Sequence, residues 1–443
     1  MADTLPPDED RRAGTKRSNT SGKVADFRYK SSFQQDKPQS KGKRGSTGKR
    51  GRSQGAPRDS ERRPSAHRDK DTDRRKPKTA SATKPSANTN RPPRRGEAYA
   101  ALDLGTNNCR LLIARPSGKD FTVIDAFSRV VKLGEGLATT GRLSDDAMDR
   151  ALGALSVCAE KLRRRNVRLA RSVATEACRR AKNGPAFIER VRRETGIALD
   201  IITAEEEARL AVLGCHILLE EGDGPAMIFD IGGGSTELVL LEPGGAKGER
   251  IPRIVDWQSV PWGVVSLTDT VSGNDRSEEA RLARYARMRE LVSDSFGPFA
   301  SRISGAAQSR AIRLLGTSGT VTTLASLHLE LPHYDRKAVD GLIVPSHAMR
   351  AISTDLSSMS PDERSELPCI GQDRASLVVA GCAILESILD LWPANRLGVA
   401  DRGIREGILR SLMAAERQSE KALQALNEAR ADHKPAHKNG ARG

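Results

Sequence analysis

Two stretches of the sequence place an aspartate, a turn of glycine and small polar residues, and an apolar segment in the same order. They are DLGTNNCRLLI, residues 103–113, and DIGGGSTELVL, residues 230–240. A glycine-rich turn lets backbone N–H groups point outward together and bind phosphate oxygens. An aspartate at the end of the preceding strand can hold Mg²⁺, which offsets the repulsion between carboxylates and phosphates. A tight hairpin turn that needs glycine would explain either stretch alone.

The two stretches correspond to each other when Asp103 is aligned with Asp230. This match indicates an internal duplication, in which one hairpin is used once in each half of the fold. Two similar halves that face each other would form a cleft with a turn at each lip, and the pair of turns favours phosphate binding there. Asp103 and Asp230 are the predicted metal ligands. The predicted phosphate-binding residues are Gly105, Thr106, Asn107, Gly232, Gly233, Gly234, Ser235 and Thr236.

A third turn, GTSGT at residues 316–320, precedes a predicted helix. The N–H groups and the dipole of a helix N-terminus favour an anion, so this turn is a further phosphate-binding candidate. Ordinary capping of the helix by Ser318 or Thr320 is the alternative. The sequence contains no GxxxxGKS or GxxxxGKT loop, no HExxH and no His-Asp dipeptide, which excludes P-loop NTPases, zinc proteases and His-Asp phosphohydrolases. The candidates in the third turn are Gly316, Ser318, Gly319 and Thr320.

The segment TAEEEARL, residues 203–210, contains a candidate general base. Thr203 and Glu206 fit a capping box, in which Thr203 is the N-cap and Glu206 bonds back to the backbone. Glu205 suits the helix dipole. Glu207 has no such local role, which makes it the candidate for activating a water molecule. Glutamates at a helix start can also serve the helix dipole alone, and that alternative stays open.

Apolar periodicity predicts the elements that must position these residues. Alternating residues between Ala98 and Gly134 indicate three short strands joined by turns. Strands and helices then alternate, beginning with a helix capped by Ser144, and the pattern restarts near Pro225. The predicted fold class is therefore α/β, with mixed sheets flanked by helices. The predicted divisions are a disordered tail at 1–95, a first domain at 97–220, a second domain at 221–416, and a helix with a basic tail at 417–443.

The net charge of +16 lies entirely within the first 95 residues of the 443-residue chain. That segment is rich in Arg, Lys, Ser, Gly and Pro, and it has too few aliphatic residues to offset the entropy of ordering. It could contact RNA, polyphosphate or an anionic membrane surface, or it could be a solvated tail. The remainder of the chain is balanced in charge, so composition does not indicate nucleic-acid binding by the folded part.

The six cysteines form no CxxC pair and no cluster at zinc-binding spacing. They are expected to be small core residues in a reducing compartment. No apolar run approaches the roughly 20 residues that a membrane-spanning helix needs. The predicted location is the cytoplasm, with no membrane partner, and a homodimer is left open.

Six motifs, in their order along the chain, resemble the exopolyphosphatase and guanosine pentaphosphate phosphatase (Ppx/GppA) family of the actin and sugar-kinase superfold. The motifs are DLGTNNCR, TEACRRAKN, ITAEEEARL, DIGGGSTEL, GTSGT and DRGIREGIL, between about Ala98 and Met413. The resemblance implies two similar mixed-sheet domains that face a central cleft. It also implies hydrolysis of a terminal phosphoryl group of polyphosphate or guanosine pentaphosphate (pppGpp), with Mg²⁺ as cofactor.

Several residue roles follow from the resemblance alone. The family's general base falls on Glu207, and its acidic positions near the metal fall on Asp103, Asp230 and Glu237. Arg179 matches a phosphate-binding arginine of the cleft, although it could also lie on a solvated helix face. Asn108 departs from the usual serine of the first loop.

Two alternative functions remain open at the level of sequence. The paired loops would also suit ATP in a small-molecule kinase or ATPase of the same superfold. A non-catalytic module that binds guanosine tetraphosphate or polyphosphate is the other alternative.

Overall fold

The computed structural model describes residues 97–118, 120–242, 251–273, 276–308 and 312–432. The predicted disordered tail at 1–95 and the basic end of the chain at 433–443 lie outside these residues. No helix in the described part of the chain is both long enough and apolar enough to cross a membrane.

The first half of the folded region is a mixed sheet flanked by helices. Its strands are β1 (Ala98–Leu104), β2 (Asn108–Ser117), β3 (Asp120–Val130), β4 (Val167–Ala174) and β5 (Leu199–Ile201). Its helices are α1 (Leu137–Thr140), α2 (Asp145–Arg164), α3 (Glu176–Arg180), α4 (Gly184–Thr195) and α5 (Ala204–Cys215). The strand order is β3-β2-β1-β4-β5, in which β1, β2 and β3 are antiparallel neighbours and β4 and β5 continue from β1 in parallel.

The second half contains the other mixed sheet. Its strands are β6 (Ala226–Ile231), β7 (Thr236–Leu241), β8 (Ile254–Val260), β9 (Arg313–Thr317), β10 (Ile343–Pro345) and β11 (Arg396–Ala400). Its helices are α6 (Val264–Thr270), α7 (Glu278–Gln308), α8 (Gly319–His328), α9 (Arg336–Val339), α10 (Ser346–Ser358), α11 (Pro361–Glu366), α12 (Gln372–Ala375) and α13 (Val378–Leu391). A final helix, α14 (Ile404–Asp432), follows β11.

The second sheet repeats the strand order and directions of the first and adds a sixth strand, the antiparallel edge strand β10. Its order is β8-β7-β6-β9-β11-β10, with β6, β7 and β8 antiparallel and β9 and β11 continuing from β6 in parallel. Thus β6 takes the place of β1, and β7 takes the place of β2. The predicted duplication and the predicted α/β fold with two similar mixed sheets are confirmed.

Local sequence explains how several elements begin. The hydroxyl of Ser144 accepts a hydrogen bond from the N–H of Ala147, so it caps α2 as predicted. The central strands β1 and β6 are almost fully buried, as strands covered by other elements on both faces are. The strand β8 was not predicted.

The helices α5 and α14 connect the two halves. Ile408 and Leu409 of α14 pack with Tyr99 and Leu112 of the first sheet, although α14 follows the second sheet in sequence. On α5, Leu210 faces this cluster, whereas the residues packed on the second sheet are Ala208, Val212 and Cys215. The domain limits at 97–220 and 221–416 remain a prediction. Each half contributes a helix that packs on the sheet of the other half.

Glycines allow α5 and α14 to cross closely. A Cβ on Gly407 would lie 2.9 Å from the carbonyl carbon of Leu210 and closer still to its oxygen. A Cβ on Gly214 would lie 2.7 Å from the carbonyl carbon of Gly403 and would also clash with its oxygen. Only glycine at these positions permits the observed packing.

Candidate active site

The turns after β1 and β6 meet in one cavity between the two sheets. Asp103 and Asp230, near the ends of these strands, both line it. The turns touch each other directly, since a Cβ on Gly233 would lie 2.9 Å from the Cβ of Thr106. The cavity is lined by Asp103, Gly105, Thr106, Asn107, Asn108, Arg110, Thr175, Glu176, Glu207, Asp230, Gly232, Gly233, Gly234, Ser235, Glu237, Thr317, Ser318, Asp401, Arg402, Gly403, Ile404 and Arg405.

The two turns have the same hydrogen-bond geometry. The N–H of Gly105 donates to the carbonyl oxygen of Asn108 at 2.9 Å, and the N–H of Gly232 donates to that of Ser235 at 2.9 Å. These bonds tighten each turn without using the N–H groups of Thr106 or Gly233. Backbone amides that a turn does not use for its own hydrogen bonds can bind phosphate oxygens.

The duplicated hairpins differ at one cross-strand position. Asp103 on β1 pairs with Arg110 on β2, whereas Asp230 on β6 pairs with Glu237 on β7. Directly opposed residues lie on the same face of a sheet, so both pairs face the cavity that they line. The first hairpin therefore supplies a cation where the second supplies an anion.

Asp103 and Asp230 are half-buried residues whose carboxylates are poorly solvated in the cavity. Oδ1 of Asp103 is buried and has no hydrogen-bond partner within the described residues. Burial raises the pKa of Asp103, and burial together with the charge of Glu237 raises the pKa of Asp230 to about 7. A bound cation would favour the ionised form of both carboxylates and so lower both pKa values.

These carboxylates fit part of a magnesium site. Among the described residues, no three Asp, Glu, His or Cys side chains are grouped so that they could hold an ion by themselves. Mg²⁺, however, is usually bound by one or two carboxylates together with waters and substrate phosphates. Asp103 and Asp230 fit that pattern. Glu237 is less available as a metal ligand, because its Oε1 accepts hydrogen bonds from Ser235 at 2.7 Å and Ser259 at 2.8 Å.

Glu207 projects from the first turn of α5 into the cavity. Thr203 caps α5 by accepting from the N–H of Glu206 at 3.2 Å, as predicted. The predicted return bond of the capping box was wrong, because the Glu206 carboxylate accepts from Arg171 and Arg209. Glu207 is only 6% exposed. Burial first, and then the charge of Glu237, raise its pKa well above the ordinary value, which suits a carboxylate that must accept a proton.

Arg179 binds Glu207 rather than lining the cavity. Its Nη1 donates to Oε2 of Glu207 at 3.0 Å and to the carbonyl oxygen of Ile202 at 2.8 Å. These bonds fix the position of the carboxylate and lower its pKa against the effect of burial. In the structure, the arginine predicted to bind phosphate thus orients the predicted base.

Three predicted phosphate-binding residues have other contacts. The Thr236 hydroxyl donates to the carbonyl oxygen of Trp262 at 2.6 Å, and Thr236 does not line the cavity. A Cβ on Gly316 would lie 2.6 Å from the ring of Phe229, so this glycine makes room for the ring. The hydroxyl of Thr320 lies against Gly381.

The third turn has an unusual backbone. Ser318 has a φ of 84°, and its hydroxyl donates to the carbonyl oxygen of Ile231 at 2.7 Å instead of capping α8. The predicted alternative of capping by Ser318 is therefore wrong. Ser318 lines the main cavity, while Gly319 and Thr320 line a smaller cavity beside it.

Sequence reasoning missed five charged residues of the cavity, which are Arg110, Glu176, Asp401, Arg402 and Arg405. Oε2 of Glu176 accepts from the Thr106 hydroxyl at 3.0 Å. The duplication carried a signal for Arg110, because the alignment of Asp103 on Asp230 also places Arg110 on Glu237. Arg405 follows β11 in the segment DRGIREGIL, and no local pattern assigns it to the cavity.

Comparisons with known proteins agree with this architecture. The sequence model of the Ppx/GppA phosphatase family matches residues 112–416. Exopolyphosphatase 2 of Mycobacterium tuberculosis strain H37Rv is 30% identical over 326 residues, which are 71% of this chain and 98% of the relative. A putative exopolyphosphatase of Haemophilus influenzae is 26% identical over 317 residues, covering 71% of this chain and 90% of the relative.

Solved structures show the same similarity. A Ppx/GppA family member from Aquifex aeolicus superposes with a TM-score of 0.58 at 29% identity, covering 72% of this chain and 98% of its own. An exopolyphosphatase from Cytophaga hutchinsonii superposes with a TM-score of 0.64 at 25% identity, covering 72% and 98%.

Proposed function

Because the chain belongs to the Ppx/GppA phosphatase family, we propose that it hydrolyses phosphoric anhydrides and releases terminal orthophosphate from polyphosphate or pppGpp. One observation carries this proposal: the two matched turns, each preceded by an aspartate that lines the cavity, meet in a single cavity beside Glu207. Relatives that span almost the same region are named exopolyphosphatases.

In this mechanism the terminal phosphoryl group lies between the two turns. The N–H groups of Thr106, Gly233 and Gly234, residues that line the cavity, are proposed to donate to its oxygens and to stabilise the charge that spreads over them in the transition state. Phosphoryl transfer needs positioning and charge stabilisation more than covalent chemistry, and a rigid pair of hairpin turns supplies both.

Glu207 is proposed to orient the attacking water and accept its proton. Its carboxylate is buried, has a raised pKa and is held by Arg179, so it combines proton affinity with a fixed direction. The water attacks phosphorus in line with the bridging oxygen, and the anhydride bond breaks as the new P–O bond forms.

We propose Asp103 and Asp230 as the residues that would hold Mg²⁺, with Glu237 close to them. Bound Mg²⁺ would neutralise phosphate charge and help to orient the substrate. Polyphosphate and pppGpp present the same terminal anhydride to the turns. An activity assay must therefore decide which of the two is the substrate.

The test is orthophosphate release by the purified protein with Mg²⁺ from long-chain polyphosphate, tripolyphosphate and pppGpp, measured in parallel. Release from at least one of them without a phosphoryl acceptor is the expected result. A kinase would instead require ATP and an acceptor. Tight binding of these compounds without turnover would identify a binding module and reject the proposal.

A further inference from the structure

In each half of the fold, the segment after the third strand binds the carbonyl groups of the turn between the first two strands. After β3, the N–H groups of Val131 and Lys132 donate to the carbonyl oxygen of Asn107 at 2.9 and 3.1 Å. The N–H of Gly134 donates to the carbonyl oxygen of Thr106 at 2.9 Å. None of these three donors lines the cavity. The carbonyl oxygens of the first turn are therefore bound by residues outside the cavity.

The second turn is held in the same way by the start of α6, which follows β8. The carbonyl oxygen of Gly232 accepts from the N–H of Val264 at 2.9 Å. The carbonyl oxygen of Gly233 accepts from the N–H of Val265 at 2.7 Å. The duplication therefore includes the contacts that hold each turn, as well as the hairpins themselves.

A carbonyl group that is held in this way also fixes the direction of the next N–H group. Because a peptide unit is planar and trans, the carbonyl of one residue and the N–H of the next point in opposite directions. The carbonyl of Thr106 points to Gly134, so the N–H of Asn107 points away from Gly134. The N–H of Gly234 is fixed in the same way through the carbonyl of Gly233. Asn107 and Gly234 both line the cavity, where such amides can bind phosphate oxygens.

In the first half, an arginine of α2 holds the segment 131–134. Arg150 donates from Nε to the carbonyl oxygen of Val131 at 2.9 Å and from Nη2 to that of Lys132 at 3.2 Å. Its Nη2 also donates to Oε2 of Glu135 at 2.7 Å. The carbonyl of Val131 and the N–H of Lys132 belong to one peptide unit, so this unit joins the guanidinium group to the carbonyl of Asn107. A continuous chain of hydrogen bonds therefore runs from Arg150 to the first turn.

We propose that Arg150 is a positioning residue for phosphate binding, which acts on the first turn through the segment 131–134. This inference rests on the proposed hydrolase function. The side chain of Arg150 is 41% exposed and does not line the cavity, so its effect on the substrate passes through the backbone. Its ion pair with Glu135 is at the surface and adds little to stability. Loss of its bonds to the two carbonyls should let the first turn shift, and a shift of about 1 Å can cost about 100-fold in rate.

The experiment measures the KM for tripolyphosphate in the wild type, Arg150→Gln and Arg150→Lys, and the Kd by calorimetric titration in a Glu207→Gln background without turnover. The matched control is Arg165→Gln. Arg165 follows the other end of α2, is also 41% exposed, and binds the side chain of Asp125 at 2.8 Å. Its substitution removes an ion pair of similar exposure without touching the segment 131–134.

We expect Arg150→Gln to raise both the Kd and the KM for tripolyphosphate about 10-fold. Arg150→Lys should be intermediate, because an ammonium group can donate to a carbonyl but lacks the planar fork of a guanidinium. Arg165→Gln should lower the Tm at least as much as Arg150→Gln, yet bind tripolyphosphate within about twofold of the wild type. A general loss of stability would not produce this separation.

Hydrogen–deuterium exchange gives a local readout of the same contacts. Exchange in the segment 131–134 should be faster in Arg150→Gln than in the wild type and unchanged in Arg165→Gln. Unchanged exchange or unchanged tripolyphosphate binding in Arg150→Gln would overturn the inference, as would an equal loss of binding in Arg165→Gln. If Arg150→Gln fails to fold, Arg150→Lys provides the same comparison. A wild-type protein that binds tripolyphosphate more tightly than Arg150→Gln but releases no orthophosphate would reject the hydrolase proposal and leave the positioning role intact.

Discussion

The substitution Gly407→Ala tests the helix crossing that joins the two halves of the fold. Its Cβ would lie 2.9 Å from the carbonyl carbon of Leu210, whereas carbon atoms in contact prefer about 3.5–4.0 Å. The two helices must therefore separate by about 1 Å. Such overpacking typically costs about 1–3 kcal/mol, and the better helix propensity of alanine returns about 0.5–1 kcal/mol. We expect a net loss of about 1–2 kcal/mol in the free energy of unfolding.

The assay is thermal and urea denaturation, with Gly153→Ala as the matched control. Gly153 lies on the exposed side of α2, and a Cβ there would meet no atom within 4 Å. Its substitution should be neutral or slightly stabilising. Gly407→Ala should also lower the hydrolysis rate, because α5 carries Glu207 and a shift of about 1 Å in a reacting group can cost about 100-fold. A Gly407→Ala protein as stable as Gly153→Ala would refute the proposed close packing.

Two further predictions concern Asp125, a mostly buried side chain that pairs with Lys161 and Arg165, and the contact between the turns. Hydrogen bonds from Lys161 and Arg165 lower the pKa of Asp125 to about 2, so its ionised form stabilises the fold above about pH 4 and this contribution is lost as the pH falls toward 2. Asp125→Asn should therefore have a lower free energy of unfolding than the wild type at pH 7, and the two proteins should become similar at low pH in urea titrations. A stability difference that does not depend on pH would show that it does not come from the Asp125 charge. Gly234→Ala would place a Cβ against the Glu176 carboxylate and 2.8 Å from the Thr106 hydroxyl, so kcat/KM should fall about tenfold or more with little change in Tm. Unchanged kcat/KM would show that this contact is not needed.

Local sequence signals predicted much of the site because they act over a few residues. The two hairpin turns depend on glycines and small polar residues next to apolar strands, and Thr203 and Ser144 cap their helices through short-range hydrogen bonds. The alternation of side chains along a strand would also have predicted that Thr236 points away from the cavity. Thr236 precedes Glu237 on β7, so the two side chains point to opposite faces.

Other features depend on contacts between distant parts of the chain. The helix α14 packs on the first sheet through residues such as Ile408, although more than 290 residues separate it from Leu112. Arg405 reaches the cavity only because α14 begins there. Likewise, the Glu206 carboxylate bonds to Arg171 of β4 instead of to the backbone at its own helix start, and this partner is distant in sequence. Periodicity in the sequence does not report such pairings.

In the proposed mechanism, Glu207 activates water for attack on a terminal phosphoryl group. The most direct test of this role is the single-turnover rate of orthophosphate release from tripolyphosphate by the wild type, Glu207→Gln and the neighbouring control Glu206→Gln. Loss of a general base should reduce the rate about 10²- to 10⁴-fold in Glu207→Gln. Glu206→Gln should stay within about threefold of the wild type, because Glu206 binds Arg171 and Arg209 at the surface. A Glu207→Gln rate near that of the wild type would exclude Glu207 as the general base.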